Sequence, residues 1–190
     1  MPEILTSADT GDILLALARA AITREFSAVP HIAITDSAQW LRAPGATFVT
    51  LKQDGILRGR AGTPTAQRPL AEDIVANAAA AAFRDLRFPP LTPGELQATR
   101  IEIAVLSEPE TLDVPNEAAV IARLRAGSDG VIFRYGHHRS IFLPEAWTEY
   151  ASPAEFMAHL KYRAGLPPDF WDAKVQLQRY TATVWCEPHA

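Results

Sequence analysis

Residues 47–62 read TFVTLKQDGILRGRAG, and the dipeptide Asp54-Gly55 at their centre decides how the neighbouring chain folds. The flanking runs TFVTLK and ILRGRAG are β-compatible, and Asp-Gly tolerates the positive φ that a tight hairpin turn demands. A β-hairpin is predicted. If residues 56–62 are extended, side chains alternate, so Arg58 and Arg60 leave one face roughly 6.5–7 Å apart while Leu57, Gly59 and Ala61 line the other. Gly59 and Gly62 remove side-chain bulk beside the arginines, which permits close approach of another backbone or of a ligand. Two guanidiniums this close repel, and burying them unpaired is costly. The sequence leaves three solutions open: an ion-pair network with Glu72, Asp73, Glu102 or Glu187, an anionic ligand gripped by the guanidinium forks, or plain solvent.

Outward from the hairpin, the chain alternates short elements. Ile13, Leu14, Leu17, Ala21 and Phe26 fall at roughly helical spacing behind the candidate caps Asp9 and Thr10, which predicts a helix over 12–26. PHIAITDSAQWLRAPG (30–45) reads as irregular connection. After Pro69, the alanine-rich LAEDIVANAAAAAFRD opens on acidic residues and predicts a helix packed closely on a sheet. Thr92-Pro93-Gly94-Glu95 and Ser152-Pro153-Ala154-Glu155 are capping-box sequences, so helices are expected to begin near 93 and 153, the second ending at Gly165. IEIAVLS (101–107) reads as a strand, NEAAVIARLRAG (116–127) as a short helix, VIFRYGHHRSIFLP (131–144) as a second hairpin around Gly136, and QLQRYTATVWCE (176–187) as a β-rich run. Strands mixed with helices, without regular βαβ alternation, predict an α+β fold with a largely antiparallel sheet flanked by helices.

Composition narrows the function classes. At 190 residues, 48% hydrophobic and 21% charged, the chain buries one sizeable core. A net charge of -4 disfavours a broad nucleic-acid-binding surface, which needs a clustered basic face. Cys186 stands alone and forms no internal disulfide, and MPEILTSADTGD has neither a basic start nor an apolar core, so a cytoplasmic location is expected. The apolar run Ala78 to Phe83 is far too short for a bilayer, so no membrane association is expected.

The ordered segments FVTLKQDGILRGRAGT, PLAEDIVANAAAAAFRDLRFPPLTPGEL, IEIAVLSEPETL, GSDGVIFRYGHHRSIFLPEAW and FMAHLKYRAGLPPDFW together resemble the AMMECR1 domain, over residues 12–187 as a single domain. The resemblance implies an α+β fold with two lobes and a cleft near the LRG strand. It also implies kinship with component A of the AmmeMemoRadiSam group, with a Memo-like and a radical-SAM protein as partners, and carries no established reaction. Two departures matter. Arg60 stands where the family's LRG motif continues with cysteine and Ala61 where it has isoleucine, and Lys161 replaces a second family cysteine before the AGL stretch. Thiol chemistry at either place is therefore unavailable to this chain.

The candidate ligand-binding set is Arg58, Gly59, Arg60, Gly62, Thr63, Asn77, Arg87 and Glu102. Asn77 interrupts the alanine run and either ties its helix to a neighbouring loop or faces the cleft. Asp85 is expected to pair with a flanking arginine and order the turn that carries Arg87. Glu102 lies on the strand face opposite Ile101 and Ile103, where it suits an orienting partner for the arginines better than a general acid. His137, His138 and His159 lack ligands at zinc spacing, and no Walker, dinucleotide or nucleophile-elbow motif is present, so no metal and no cofactor is predicted. Three functions follow: a component binding a small anionic molecule or peptide with Memo-like and radical-SAM partners, a stand-alone enzyme lacking a complete acid, base and nucleophile set, or a nucleic-acid or protein interaction module.

Overall fold

The computed structural model describes residues 8–27 and 39–188. In chain order the elements are α1 (Ala8–Phe26), α2 (Gln39–Arg42), β1 (Pro44–Gly45), β2 (Thr47–Gln53), β3 (Ile56–Gly62), β4 (Arg68–Pro69), α3 (Leu70–Phe83), α4 (Pro93–Leu96), β5 (Arg100–Leu106) and β6 (Glu110–Thr111). They continue with α5 (Glu117–Arg123), β7 (Gly130–Tyr135), β8 (His138–Phe142), a 3₁₀ turn at Pro144–Thr148, α6 (Pro153–Arg163), β9 (Gln176–Tyr180) and β10 (Ala182–Cys186). The fold is mixed helix and antiparallel sheet. It divides into two compact units, one formed by the chain up to Leu106 together with the residues from Thr183, the other by Ser107–Ala182. No helix among the described residues is long and apolar enough to cross a membrane.

The first unit is built on the predicted hairpin. Asp54 (φ 49°) and Gly55 (φ 79°) both adopt positive φ, as a two-residue turn between right-twisted strands requires. The hairpin joins a four-stranded sheet in the order β10-β5-β2-β3. Val49, Leu51, Ile101, Ile103 and Val105 alternate onto one face and pack with Leu14, Ala18 and Ile22 of α1 and Ile74, Ala78 and Ala81 of α3. The small α3 side chains let its backbone reach the sheet: a Cβ on Gly59 would lie 2.2 Å from the carbonyl oxygen of Ala81. On the far strand, Gly11 of α1 leaves room for the Trp185 indole, which a Cβ would meet at 2.2 Å.

The second unit carries a four-stranded sheet in the order β6-β9-β7-β8, whose second hairpin turns on Gly136 at φ 57°. Val131, Phe133, Phe142 and Leu177 face α6, where Phe156, Met157 and Leu160 complete a core with Val120 of α5. Ser152 caps α6 by accepting from Glu155 N, and Gly165 follows its end at φ 82°. Trp147 stacks on Phe156 with ring centres 3.9 Å apart and donates its indole N–H to Asp129 O at 2.6 Å.

Four expectations change. Asp9 and Thr10 lie inside α1 rather than capping it, because the helix already includes Ala8. Residues 39–42 of the expected connection form a helical turn, and Pro44–Gly45 pairs with Arg68–Pro69; residues 30–38 of that stretch lie outside the described residues. The helix begun at Pro93 lasts one turn, since the Thr99 hydroxyl takes the Glu95 carbonyl and the chain enters β5 at Arg100. The closing β-run breaks at Thr181 into two strands that join different sheets.

Candidate functional site

The register of the hairpin changes the expected arginine geometry. Thr50 faces Arg60 and Leu51 faces Gly59, but Lys52 faces Leu57, so Arg58 is one residue too many and forms a β-bulge. The two arginines consequently go to different partners. Arg58 grips Glu95 with Nε and Nη2 at 2.9 and 3.2 Å, donates Nη1 to Pro89 O at 3.0 Å, and places its guanidinium 6.0 Å from the Phe88 ring centre. Its side chain is 11% exposed. Arg60 donates Nε to Thr50 Oγ1 at 2.9 Å. Arg58 is therefore neutralised by Glu95, a residue the capping-box reading assigned only to the helix start. Asp73, Glu102 and Glu187 instead pair with Arg68, Lys52 and Arg19.

Arg87 meets the acid expected for it. Asp85 accepts from Arg87 N, Nε and Nη2 and, through Oδ2, from the backbone N–H of Arg60 at 2.8 Å. β3 is the edge of its sheet, and this carboxylate covers an N–H group that would otherwise offer pairing to another strand. Hydrogen bonds from Arg87 and from the Arg60 backbone hold the Asp85 carboxyl well below the usual range, while Arg58 and the Thr92 groups lower Glu95 to about 2. Both groups have depressed folded-state values, so their contribution to stability is complete above about pH 4.5 and is lost as pH falls toward 2. Urea midpoints measured from pH 5 to 2 are expected to fall steeply in the wild type and more shallowly in Glu95→Gln.

Thr63 and Asn77 belong to a different cluster, centred on buried Asp73 of α3. Asp73 Oδ2 accepts from Thr47 N at 2.9 Å, Thr47 Oγ1 at 2.6 Å and Asn77 Nδ2 at 2.9 Å. Its Oδ1 accepts from Thr63 Oγ1 at 2.6 Å and Arg68 Nε at 2.8 Å. Asn77 also donates to Thr47 O, so it ties α3 to the start of β2. Gly62 is filled by its neighbour, since a Cβ there would lie 2.3 Å from the Phe48 ring. Sequence reading saw Asn77 and Thr63 but missed Asp73 as the hub. The signal was present: a carboxylate one helical turn before Asn77 shares its face.

Glu102 lies on the sheet face turned away from α1 and α3, as its alternation with Ile101 and Ile103 predicts. Across the strands it stands in a row with Thr50 and Arg60, and the next row holds Arg100 and Lys52. Lys52 Nζ reaches Glu102 Oε2 at 2.8 Å. Among the described residues, Arg60, Lys52 and Arg100 thus stand in neighbouring rows with Glu102, and Arg100 also donates Nε to Glu187 O at 3.1 Å. Cys186 Sγ donates to the same Glu102 oxygen at 3.3 Å. Cys186 is exposed at the surface, yet partial loss of hydration and that carboxylate push its thiol up to about 11, so little of it is thiolate at pH 8. Alkylation of Cys186 by iodoacetamide at pH 8 is expected to be far slower than that of a free thiol. Glu102→Gln is expected to accelerate it, and a fast wild-type reaction would contradict this environment.

Lys161 is 1% exposed and holds Glu117 of α5 at 2.7 and 3.0 Å. The histidines are absorbed structurally: His138 Nδ1 lies 2.9 Å from Ala164 O, and His159 stacks on Tyr150.

The sequence profile of the AMMECR1 family matches residues 15–185. The chain belongs to the AMMECR1 family. A protein of Methanothermobacter thermautotrophicus is 36% identical over 184 residues, covering 95% of this chain and 96% of that one. Protein MK0488 of Methanopyrus kandleri is 37% identical over 179 residues, covering 90% and 84%. The crystal structure of the uncharacterised protein PH0010 from Pyrococcus horikoshii superposes with a TM-score of 0.86 at 31% identity, covering 93% of this chain and 91% of that one. Family membership thus extends to the fold.

Proposed function

We propose that this AMMECR1-family chain binds a small anionic molecule or an acidic peptide segment beside the LRG strand, and that it serves as a non-catalytic component acting with a Memo-like and a radical-SAM protein. The observation that carries the binding half is the charge on the face of β3, β2 and β5 turned away from the helices, where Arg60, Lys52 and Arg100 stand in adjacent cross-strand rows with Glu102. Guanidinium and ammonium groups in such a row attract carboxylate or phosphate, and the central Glu102 favours a ligand carrying an amine or amide N–H beside its anion. Arg58, Arg87, Asn77 and Thr63 contribute by holding the strand, because their polar groups are committed to Glu95, Asp85 and Asp73.

The settings of Asp85, Glu95 and Cys186 suit structural or binding roles better than acid–base chemistry. A general acid or base works best near the operating pH, whereas Asp85 and Glu95 are pushed far below it and the Cys186 thiol far above. A protein partner is supported by Leu86, which is 99% exposed at the tip of the turn that Asp85 pins. A rigid apolar tip loses little freedom on docking. A thermal-shift screen of carboxylates, phosphates and short acidic peptides tests the reading. A hit at about 100 times its dissociation constant stabilises by about 2.7 kcal/mol. That shift is expected to vanish in Arg60→Ala and Lys52→Ala. Its persistence in both variants would remove the ligand from this face.

A further inference from the structure

The sheet of the second unit holds a pair of charges that its own construction does not account for. Arg134 on β7 lies directly opposite Arg139 on β8, and Gln176 continues the row on β9. Facing residues of neighbouring antiparallel strands have Cβ atoms about 4.5–5.5 Å apart, and like charges so placed destabilise the sheet. Elsewhere the same sheet obeys the opposite rule: Glu110 faces Arg179 and pairs with it at 2.9 Å. Neither the Arg134 nor the Arg139 guanidinium has a hydrogen-bond or ion-pair partner among the described residues. Both lie on the face away from Val131, Phe133 and Phe142, which pack onto α6. In the adjacent row, Ile132 faces Gln178, whose side-chain oxygen is buried without a partner.

We propose that Arg134 and Arg139 form a binding site for a phosphate monoester, distinct from the cationic face of the first unit. Two guanidinium forks in register present several N–H donors to one tetrahedral oxyanion. A phosphoryl group carrying about -1.5 to -2 charge at neutral pH matches the pair and removes its repulsion.

Calorimetric titration of the full chain with inorganic phosphate and with glycerol 3-phosphate, at ionic strength matched by chloride, tests the site. Arg134→Gln and Arg139→Gln are each expected to weaken both ligands about tenfold or more, whereas Arg123→Gln, at an exposed arginine of the same unit that donates to Asp113 O, leaves them unchanged. Without phosphate, Arg139→Gln is expected to be at least as stable as the wild type, because the repulsion is gone. Three results would overturn the proposal: no phosphate binding by the wild type, an equal loss in Arg123→Gln, or a clear fall in the stability of phosphate-free Arg139→Gln.

Discussion

Asp73→Ala is expected to destabilise the chain by about 3–5 kcal/mol, among the largest effects of any single substitution. The carboxylate is 1% exposed and is the shared acceptor for Thr47 N, Thr47 Oγ1, Thr63 Oγ1, Asn77 Nδ2 and Arg68 Nε. Removing it strands donors at the point where α3, β2 and the end of β3 meet. Thr47 is fully buried and Asn77 nearly so, and neither gains water in exchange. Arg68 alone contributes little, because its side chain is 36% exposed and an exposed ion-pair partner is worth about 0–1 kcal/mol. Urea unfolding of Asp73→Ala beside Arg68→Ala separates the two contributions. Equal effects would mean that the ion pair, rather than the buried hydrogen bonds, anchors the hairpin to the helix.

The second large effect is asymmetric. Lys161 is buried, while Glu117 keeps 25% of its side chain exposed. Glu117→Ala leaves an ammonium buried without its partner and is expected to cost about 3–5 kcal/mol. Lys161→Met removes the buried charge, lets Glu117 turn to solvent, and is expected to be near neutral. Lys161→Cys restores the residue that the family resemblance places here and is expected to be tolerated apart from lost packing. In a Lys161→Met background, Glu117→Ala loses most of its penalty, and a double-mutant cycle measures this. A penalty for Glu117→Ala that persists there would assign it to helix α5 rather than to the buried ion pair.

The parts of the fold that the sequence made legible are those fixed by local rules. Asp54-Gly55 dictated the first hairpin, Gly136 the second, and Ser152 with Gly165 both ends of α6, because positive φ and capping are decided within a few residues. The alternation of Ile101, Glu102 and Ile103 placed the charge on the correct face for the same reason. The arginine pair failed because one bulged residue reverses the alternation on which the reading rested, and a bulge depends on what packs against the strand. Here Glu95, Pro89 and Phe88 receive Arg58 from a segment 30 to 37 residues along the chain. Asp73 and Lys161 were missed for a related reason. Burial of a charge is a tertiary property, and residues such as Thr47 and Glu117, which make it tolerable, are distant in sequence.

The candidate ligand surface shows the same division. Glu102 was legible, but its partner Lys52 was not, since which cation lies diagonal to it depends on the register of β2 against β5. Arg60 stays on that face because the ladder is regular from Gly59 to Gly62.

The most direct test of the central claim is an amide chemical-shift titration of the isotopically labelled chain with the best anionic hit from the ligand screen. The account predicts saturable shifts concentrated at Thr50, Lys52, Arg60 and Glu102, abolished by Lys52→Ala. Saturable shifts centred elsewhere, or unchanged in Lys52→Ala, would contradict it.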